Sequence, residues 1–281
     1  MRIYVYHHIK GSAMNGQVLR GRVMPQRLKE NQIKTVMLAN GAHEIMTYSF
    51  ISSKATASLG LCDGDERLNT VSILNPLGDE YSTMRTQLTT SMFTVLSTNY
   101  NRKIPAARLF EISKRFIPKA LPLTEQPLEL PTMSIGMYGE NEDFFTLKGV
   151  IEQLMAEFGA VVSYERSDEP YMHPGRQAKV MLGETPVAVF GEVHPAAAAS
   201  FSLAPRTYVA EIWLDRLFTT QKEKTIYKPL PKFPAVSRDF ALLCDIDLPA
   251  AEIENAIRTG AGKLCEDVKL FDVYVGSQIP E

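Results

Sequence analysis

From Pro25 the chain reads Gln26-Arg27-Leu28-Lys29-Glu30 and closes at Asn40-Gly41. Proline in the first turn and glycine just past the end punctuate a helix, with Leu28, Val36 and Met37 as its expected buried stripe. Ile45 to Phe50 then sets Met46, Tyr48 and Phe50 at period two, which predicts a strand with one apolar face. Asn75-Pro76-Leu77-Gly78-Asp79 is a turn cluster. After it Leu88, Met92, Val95, Leu96 and Tyr100 recur at helical spacing. Ala107 to Phe116 and the repeat Met133, Ile135, Met137 predict two strands, joined by a loop holding Pro118, Pro122, Pro127 and Pro131. The cleanest amphipathic helix runs from near Thr146 to Gly159, on Leu147, Val150, Ile151, Leu154, Met155 and Phe158. Val180–Leu182 and Val187–Glu192 flank a turn and predict a hairpin. A short helix after Pro195 and a strand from Tyr208 to Trp213 follow. Lys222 to Pro234 reads as a linker, and beyond it Asp239–Cys244, Ala250–Ala261 and Val268–Val275 read as strand, helix, strand.

Strands joined through turns, with helices at irregular intervals, favour an antiparallel sheet of the α+β class. A Rossmann fold is disfavoured, because no G-x-G-x-x-G follows a strand. No stretch approaches the ~18 continuous apolar residues of a membrane span, and His7, His8 and Lys10 break any signal-peptide core. The expected compartment is the cytoplasm, with no membrane partner. Cys62, Cys244 and Cys265 are widely spaced without a C-x-x-C, so they read as reduced thiols rather than a disulfide or zinc framework.

A formal charge of -2 argues against a surface that tracks a phosphate backbone throughout, so any nucleic-acid contact is local. The basic concentration at Lys222, Lys224, Lys228, Lys232 and Arg238 reads either as such a contact or as a solvated linker face. His173-Pro174-Gly175-Arg176 and Glu192-Val193-His194-Pro195 raise a metal reading. The Pro after each His and the lack of H-E-x-x-H favour turn or core hydrogen bonds instead. Arg176 either grips a carboxylate across a subunit boundary or caps a turn. Arg85, just before the second helix, is expected in packing or at an interface rather than on a ligand.

Arg2-Ile3-Tyr4-Val5-Tyr6-His7-His8-Ile9 resembles the R-x-Y-G-Y-x-x-I segment of bacterial-type phenylalanine–tRNA ligase β subunits, with Val5 in place of the usual glycine. The series continues in order along the chain. It takes in Thr47–Phe50, Asn75-Pro76-Leu77, Met84-Arg85-Thr86, Leu109–Ile112, His173–Arg176, Gly191–Pro195, Phe233–Asp239 and Leu270–Tyr274. The resemblance implies a fragment in which residues 1–16 end an upstream winged domain. Residues 17–221 then form a class II synthetase-like, non-catalytic core, and 222–281 a linker with a truncated ferredoxin-like anticodon-binding domain. The family's editing domain and its acidic, magnesium-associated run would precede Met1.

Adenylate chemistry in that class needs arginines on the ATP phosphates. Here Arg108-Leu109-Phe110-Glu111-Ile112 lacks the R-x-E pattern, and Ala210 to Leu217 lacks the glycines of the other arginine-bearing element. No catalytic or metal residue is therefore assigned, and no cofactor in this fragment; ATP and magnesium are expected only for the whole enzyme. The implied partners are an α subunit, in a two-alpha, two-beta assembly, and tRNA. Arg85 and Arg176 are the interface candidates, Lys232 and Arg238 the tRNA candidates. The implied function is structural and tRNA-positioning support for phenylalanine attachment by the α subunit. The rivals are a stand-alone tRNA-binding or regulatory module and a self-sufficient ligase. In the β-α-β-β-α-β unit the first two strands are separated by the third, so a chain ending after the second leaves both unpaired.

Overall fold

In the computed structural model of this chain, residues 3, 8, 10–17, 20–220, 226–227, 229–230 and 232–276 are described. Most of the Arg2–Ile9 segment and much of the 222–234 linker lie outside them. The chain divides into two compact units, Met1–Thr225 and Ile226–Glu281.

Helix α1 spans Pro25–Ala39, with proline at its start and Gly41 at φ 72° behind it. Its buried residues are Ile33 and Met37, with Val36 packed partly against the same core, whereas Leu28 is exposed. Leu28 belongs to the first turn and misses the core that the i, i+4 pair Ile33 and Met37 enters.

The strand expected over 45–50 does not form as one piece. Strand β1 (His43–Glu44) runs parallel to β4 (Ala107–Ile117), and β2 (Phe50–Ile51) pairs elsewhere, with β3 (Thr83–Met84). Ile45 N–H still donates to the Phe110 carbonyl at 2.8 Å, but Thr47 N–H donates to the Glu111 carboxylate at 3.2 Å. A side-chain acceptor has taken the next ladder bond, so the strand ends there. Met46 consequently stands 92% exposed and Tyr48 67%.

Beyond α2 (Ser53–Ala57) and β3 comes α3 (Thr89–Asn101). Strand β5 (Leu128–Tyr138) then pairs antiparallel with β4 along its whole length. Pro131 therefore lies inside a strand, opposite Lys114, rather than in the loop. Pairing of β5 with its other neighbour begins only at Thr132, so Pro131 leaves no ladder bond unmade on that side. Helix α4 (Phe144–Glu157) starts earlier than the periodicity alone suggests, because the Asp143 carboxylate caps it through Thr146 N at 2.6 Å. Next come β6 (Ser163–Arg166), β7 (Met172–Leu182), β8 (Thr185–Val193), α5 (Pro195–Ser200), β9 (Thr207–Trp213) and α6 (Leu214–Leu217).

The main sheet has the order β1-β4-β5-β9-β8-β7-β6, antiparallel except at β1/β4. This is the α+β sheet that the turn-linked pattern predicts. Both faces are covered. Ile33, Met37, Leu147, Ile151 and Leu154 from α1 and α4 pack on Phe110, Ile135, Phe190 and Ile212. On the other face, Met92, Phe93 and Leu96 of α3 and Ala197 of α5 pack on Leu109 and Val209. Among the described residues no helix is long and apolar enough to cross a membrane.

The second unit contains α7 (Ala250–Ala261) as expected, but residues 239–244 and 268–275 carry no ladder. A strand exists only against a partner for its N–H and C=O groups, and neither stretch has one among the described residues. Phe240, Leu243, Phe271 and Val273 are exposed.

Two glycines permit close approaches of different kinds. A Cβ on Gly191 would stand 2.6 Å from the Arg176 carbonyl oxygen and 2.9 Å from Gln177 Cα, both backbone atoms. One on Gly136 would meet Met92 Cγ at 2.6 Å and Leu96 Cδ1 at 2.7 Å, which are movable side chains. Gly191→Ala should therefore destabilise the chain by about 1–3 kcal/mol, and Gly136→Ala by less, because methionine adapts. Urea midpoints of the two variants check the order.

Candidate functional site

On the face covered by α3, register places polar residues side by side at the sheet's centre. Glu111, Ser134 and Glu211 form one row across β4, β5 and β9, and Ser113, Thr132 and Trp213 the next. This is where a ligand would meet a sheet of this kind if the centre were open. Instead the segment leading into α3 fills it.

Arg85 is 0% exposed. Its Nε donates to the Lys114 carbonyl at 3.1 Å and Nη1 to Thr47 Oγ1 at 2.7 Å and Ser91 Oγ at 3.5 Å. Nη2 donates to Glu111 Oε1 at 3.1 Å and to Ser113 Oγ. Glu111 also accepts from Thr47 Oγ1 at 2.8 Å. The second carboxylate, Glu211, accepts Leu88 N–H at 2.9 Å and Thr89 Oγ1 at 3.1 Å, so a strand residue caps α3 from across the sheet. Both acids are buried and both are spent on the chain's own donors. Their signal in the sequence is a carboxylate inside an apolar strand, as in Tyr208-Val209-Ala210-Glu211-Ile212.

Beside this centre Arg67 joins two acids, Asp65 Oδ2 at 2.7 Å and Glu169 Oε2 at 2.8 Å. Sequence patterning missed both Arg67 and Glu169, which meet across 102 positions of the chain. The hydrogen bond from Arg67 holds Asp65 below the usual carboxylate range. Burial acts to lower the Arg67 pKa, but Asp65 and Glu169 outweigh it and the net shift is upward. Glu169 is pushed above its ordinary 4.5, first by burial, with Arg67 offsetting only part and Glu211 and Asp65 adding to the rise. Burial, then Glu169 and Glu211, raises Tyr171 well above its normal value. Farther along, two guanidiniums approach the Trp213 ring, Arg115 at 5.7 Å and Arg216 at 4.3 Å from its centroid.

The other sequence candidates lie elsewhere. Arg108 projects toward the opposite face, in register with Met137, and pairs bidentately with Glu142 at 2.8 and 2.9 Å. His173 Nδ1 accepts Gly175 N–H and His194 Nδ1 accepts Ala196 N–H, each at 3.1 Å, which is the turn role expected of them. No three His, Cys, Asp or Glu side chains converge to hold a metal among the described residues. Arg176 meets a carboxylate of its own chain, Glu192, at 3.0 Å. Arg85 offers no surface for direct contact with another chain. Lys232 and Arg238 are exposed in the second unit, and Arg238 Nη1 donates only to the neighbouring Ser237 carbonyl. Two open hollows mark the surface, and the second reaches Ser113 and Lys114 at the edge of the polar centre. One is between α1 and α4, lined by Gln32, Val36 and Gln153; the other is beside Gln26, Glu30 and Lys114.

Arg85→Met should lower stability by about 3–5 kcal/mol, because it leaves the Glu111 charge buried without its partner; adding Glu111→Leu should recover part of this, as read from urea denaturation. Glu169 supplies a pH test. Its folded pKa is raised, so its contribution is fully present below about pH 4.5 and is lost as pH climbs through the folded value. The stability of Glu169→Gln relative to the parent should therefore increase from about pH 4.5 upward. A flat difference between acid and neutral pH would show that ionising Glu169 carries no penalty.

The family model described as "Phenylalanyl tRNA synthetase beta chain CLM domain" matches residues 9–214, and that of the "Ferredoxin-fold anticodon binding domain" matches 231–281. The phenylalanine–tRNA ligase beta subunit of Clostridium tetani is 42% identical, over 100% of this chain and 35% of that protein. Its counterpart in Clostridium acetobutylicum is 39% identical over the same shares. The chain thus spans about a third of the length of the curated relatives it matches. A pyrrolysyl tRNA synthetase of Desulfitobacterium hafniense superposes with a TM-score of 0.54 at 15% identity, covering 69% of this chain and 66% of that one. That likeness concerns the fold, the class II synthetase sheet. The chain belongs to the phenylalanyl-tRNA synthetase beta chain family, with a CLM domain followed by a ferredoxin-fold anticodon-binding domain.

Proposed function

We propose that this chain is a non-catalytic, structural and tRNA-positioning part of a phenylalanine–tRNA ligase beta subunit. It supports ATP-dependent attachment of phenylalanine to tRNA by an alpha subunit. The observation that carries this reading is the filled centre of the sheet, where Arg85, Leu88 and Thr89 occupy Glu111 and Glu211. A nucleotide with its magnesium needs arginines free for phosphate and acids free for metal. Here the central arginine and both acids are bonded to the chain itself, so the residues do not fit that ligand. ATP and magnesium belong to the partner.

A second feature supports the partner. Met46, Tyr48 and Phe50 have the period-two pattern of a buried face, yet all three are exposed. Tyr48 packs edge-on against Tyr81, and Leu74 and Leu77 stand exposed in the adjoining turn. Apolar side chains grouped in this way mark a face that another chain covers. Arg85 serves that face indirectly, since its bond to Thr47 Oγ1 anchors the segment between Met46 and Tyr48. Lys232 and Arg238 are the residues assigned to phosphates of the anticodon stem.

Co-expression with the alpha subunit should give a stable complex burying on the order of 2,000 Å² or more. Met46→Glu with Leu77→Glu should weaken it at least about tenfold, which is about 1.4 kcal/mol. Phenylalanine-dependent pyrophosphate exchange by the chain alone should match a no-enzyme control. Exchange above that control would overturn the non-catalytic reading, and a chain that ignores the alpha subunit in a pull-down would overturn the scaffold.

A further inference from the structure

The polar strip at the ends of β7 and β8 has no part in the roles above. Strand β7 slips its register against β8 between Met172 and Gln177, so His173, Pro174, Gly175 and Arg176 bulge out of the ladder. Bulges re-aim side chains, and three independent features build this one. Gly191, opposite, leaves room for the Arg176 backbone. His173 Nδ1 closes the turn on Gly175 N–H. Glu192 then fixes the guanidinium, accepting from Arg176 Nη1 at 3.0 Å on Oε1 and 3.1 Å on Oε2.

A second guanidinium meets the same acid. Arg206 Nη2 stands 3.7 Å from Glu192 Oε2, with its Cζ 5.9 Å from the Tyr208 ring centroid. The Glu192 side chain is 5% exposed, whereas those of Arg176 and Arg206 are 50% and 64% exposed. One buried carboxylate therefore fixes the Arg176 fork by hydrogen bonds and holds the Arg206 fork within ion-pair distance. Among the described residues Arg176 uses only Nη1 in hydrogen bonds, so Nη2 and Nε remain to be paired. Paired, pre-oriented guanidiniums match an oxyanion that accepts from both.

Such an oxyanion belongs either to a protein carboxylate or to a nucleic-acid phosphate. The surroundings favour phosphate. The strands that carry the strip, from Ser163 to Trp213, expose no large hydrophobic side chain among the described residues, and a single exposed ring stands nearby at Phe145, two residues from Asp143, whereas protein interfaces centre on clustered apolar and aromatic anchors. The local charge is close to balanced, because Glu192 and also Asp143, which feels Arg206, offset the two arginines. The strip accordingly suits positioning of a phosphate already nearby more than long-range attraction.

Resting on the ligase reading above, we infer that Arg176 and Arg206, aligned by Glu192, clamp a backbone phosphate of tRNA. This contact belongs to the first unit and adds to those of Lys232 and Arg238 in the second. The test measures tRNA binding to the complex of this chain with the alpha subunit, between about 50 and 200 mM salt. Arg176→Ala with Arg206→Ala should weaken binding about tenfold and flatten the dependence of log Kd on log salt by about one unit. Arg176→Lys with Arg206→Lys keeps charge beside Glu192 and protects the fold. It should keep the salt slope yet bind several-fold more weakly than the parent, since the fork geometry is lost. Unchanged affinity and slope in the alanine pair, with the complex intact, would overturn the clamp and leave the ligase reading standing. Loss of the alpha subunit with tRNA affinity unchanged would overturn it in favour of a protein carboxylate. Failure of the parent chain to pair with the alpha subunit strikes the ligase reading instead, and the same salt comparison on the chain alone then decides the clamp.

Discussion

A guanidinium buried at the centre of the sheet governs the first unit. Arg85 has no exposed surface, and its nitrogens reach Lys114, Thr47, Ser91, Glu111 and Ser113. A charge in that position is tolerable only when a counter-charge and enough acceptors surround it. The segment before α3 is thereby tied to β4, and Glu211 caps α3 from β9. The same network ends the β1 ladder, because Thr47 N–H goes to Glu111 rather than to a neighbouring strand. One buried ion pair thus closes the sheet's centre and turns Met46 and Tyr48 outward.

This explains how a synthetase sheet stands here without an open centre. Fold does not carry activity; what matters is whether the polar residues at the sheet's centre face a ligand or the chain. In this chain Glu111 and Glu211 face N–H and O–H groups of their own segment, so their charge contributes to cohesion. Arg67, Asp65 and Glu169 extend that cohesion to the loop before α3. The polarity that in an open site would recognise a substrate here holds α3 in place over Leu109, Gly136 and Val209.

Much of this was legible before any coordinates. The helices on Pro25–Ala39, Thr89–Asn101, Phe144–Glu157 and Ala250–Ala261 follow from period and punctuation, which are local properties of the chain. So does the α5 start at Pro195, with His194 as its cap. The motif series from Thr47 to Tyr274 identified the family, since order and spacing along a chain survive without contacts. Where the reading failed, an acceptor or a partner was missing from it. Pro131 passed for loop because its free side in β5 depends on where β9 begins to pair. The 239–244 and 268–275 stretches have strand composition but no neighbour among the described residues.

The sequence by itself determined the helices over Pro25–Ala39, Thr89–Asn101, Phe144–Glu157 and Ala250–Ala261, the apolar faces of the strands around Phe110, Ile135 and Tyr208–Trp213, and that the sheet is antiparallel in kind. Those are matters of residue type, spacing and periodicity. Only the tertiary structure decided that Arg85 is interior, that Arg176 and Arg206 share Glu192, that Arg67 reaches Glu169 across 102 positions, and that the alternating face at Met46–Phe50 is turned to solvent. Each depends on which donor meets which acceptor between segments distant in sequence. An arginine reads the same in the chain whether its carboxylate lies in its own fold, in another subunit, or is replaced by a phosphate.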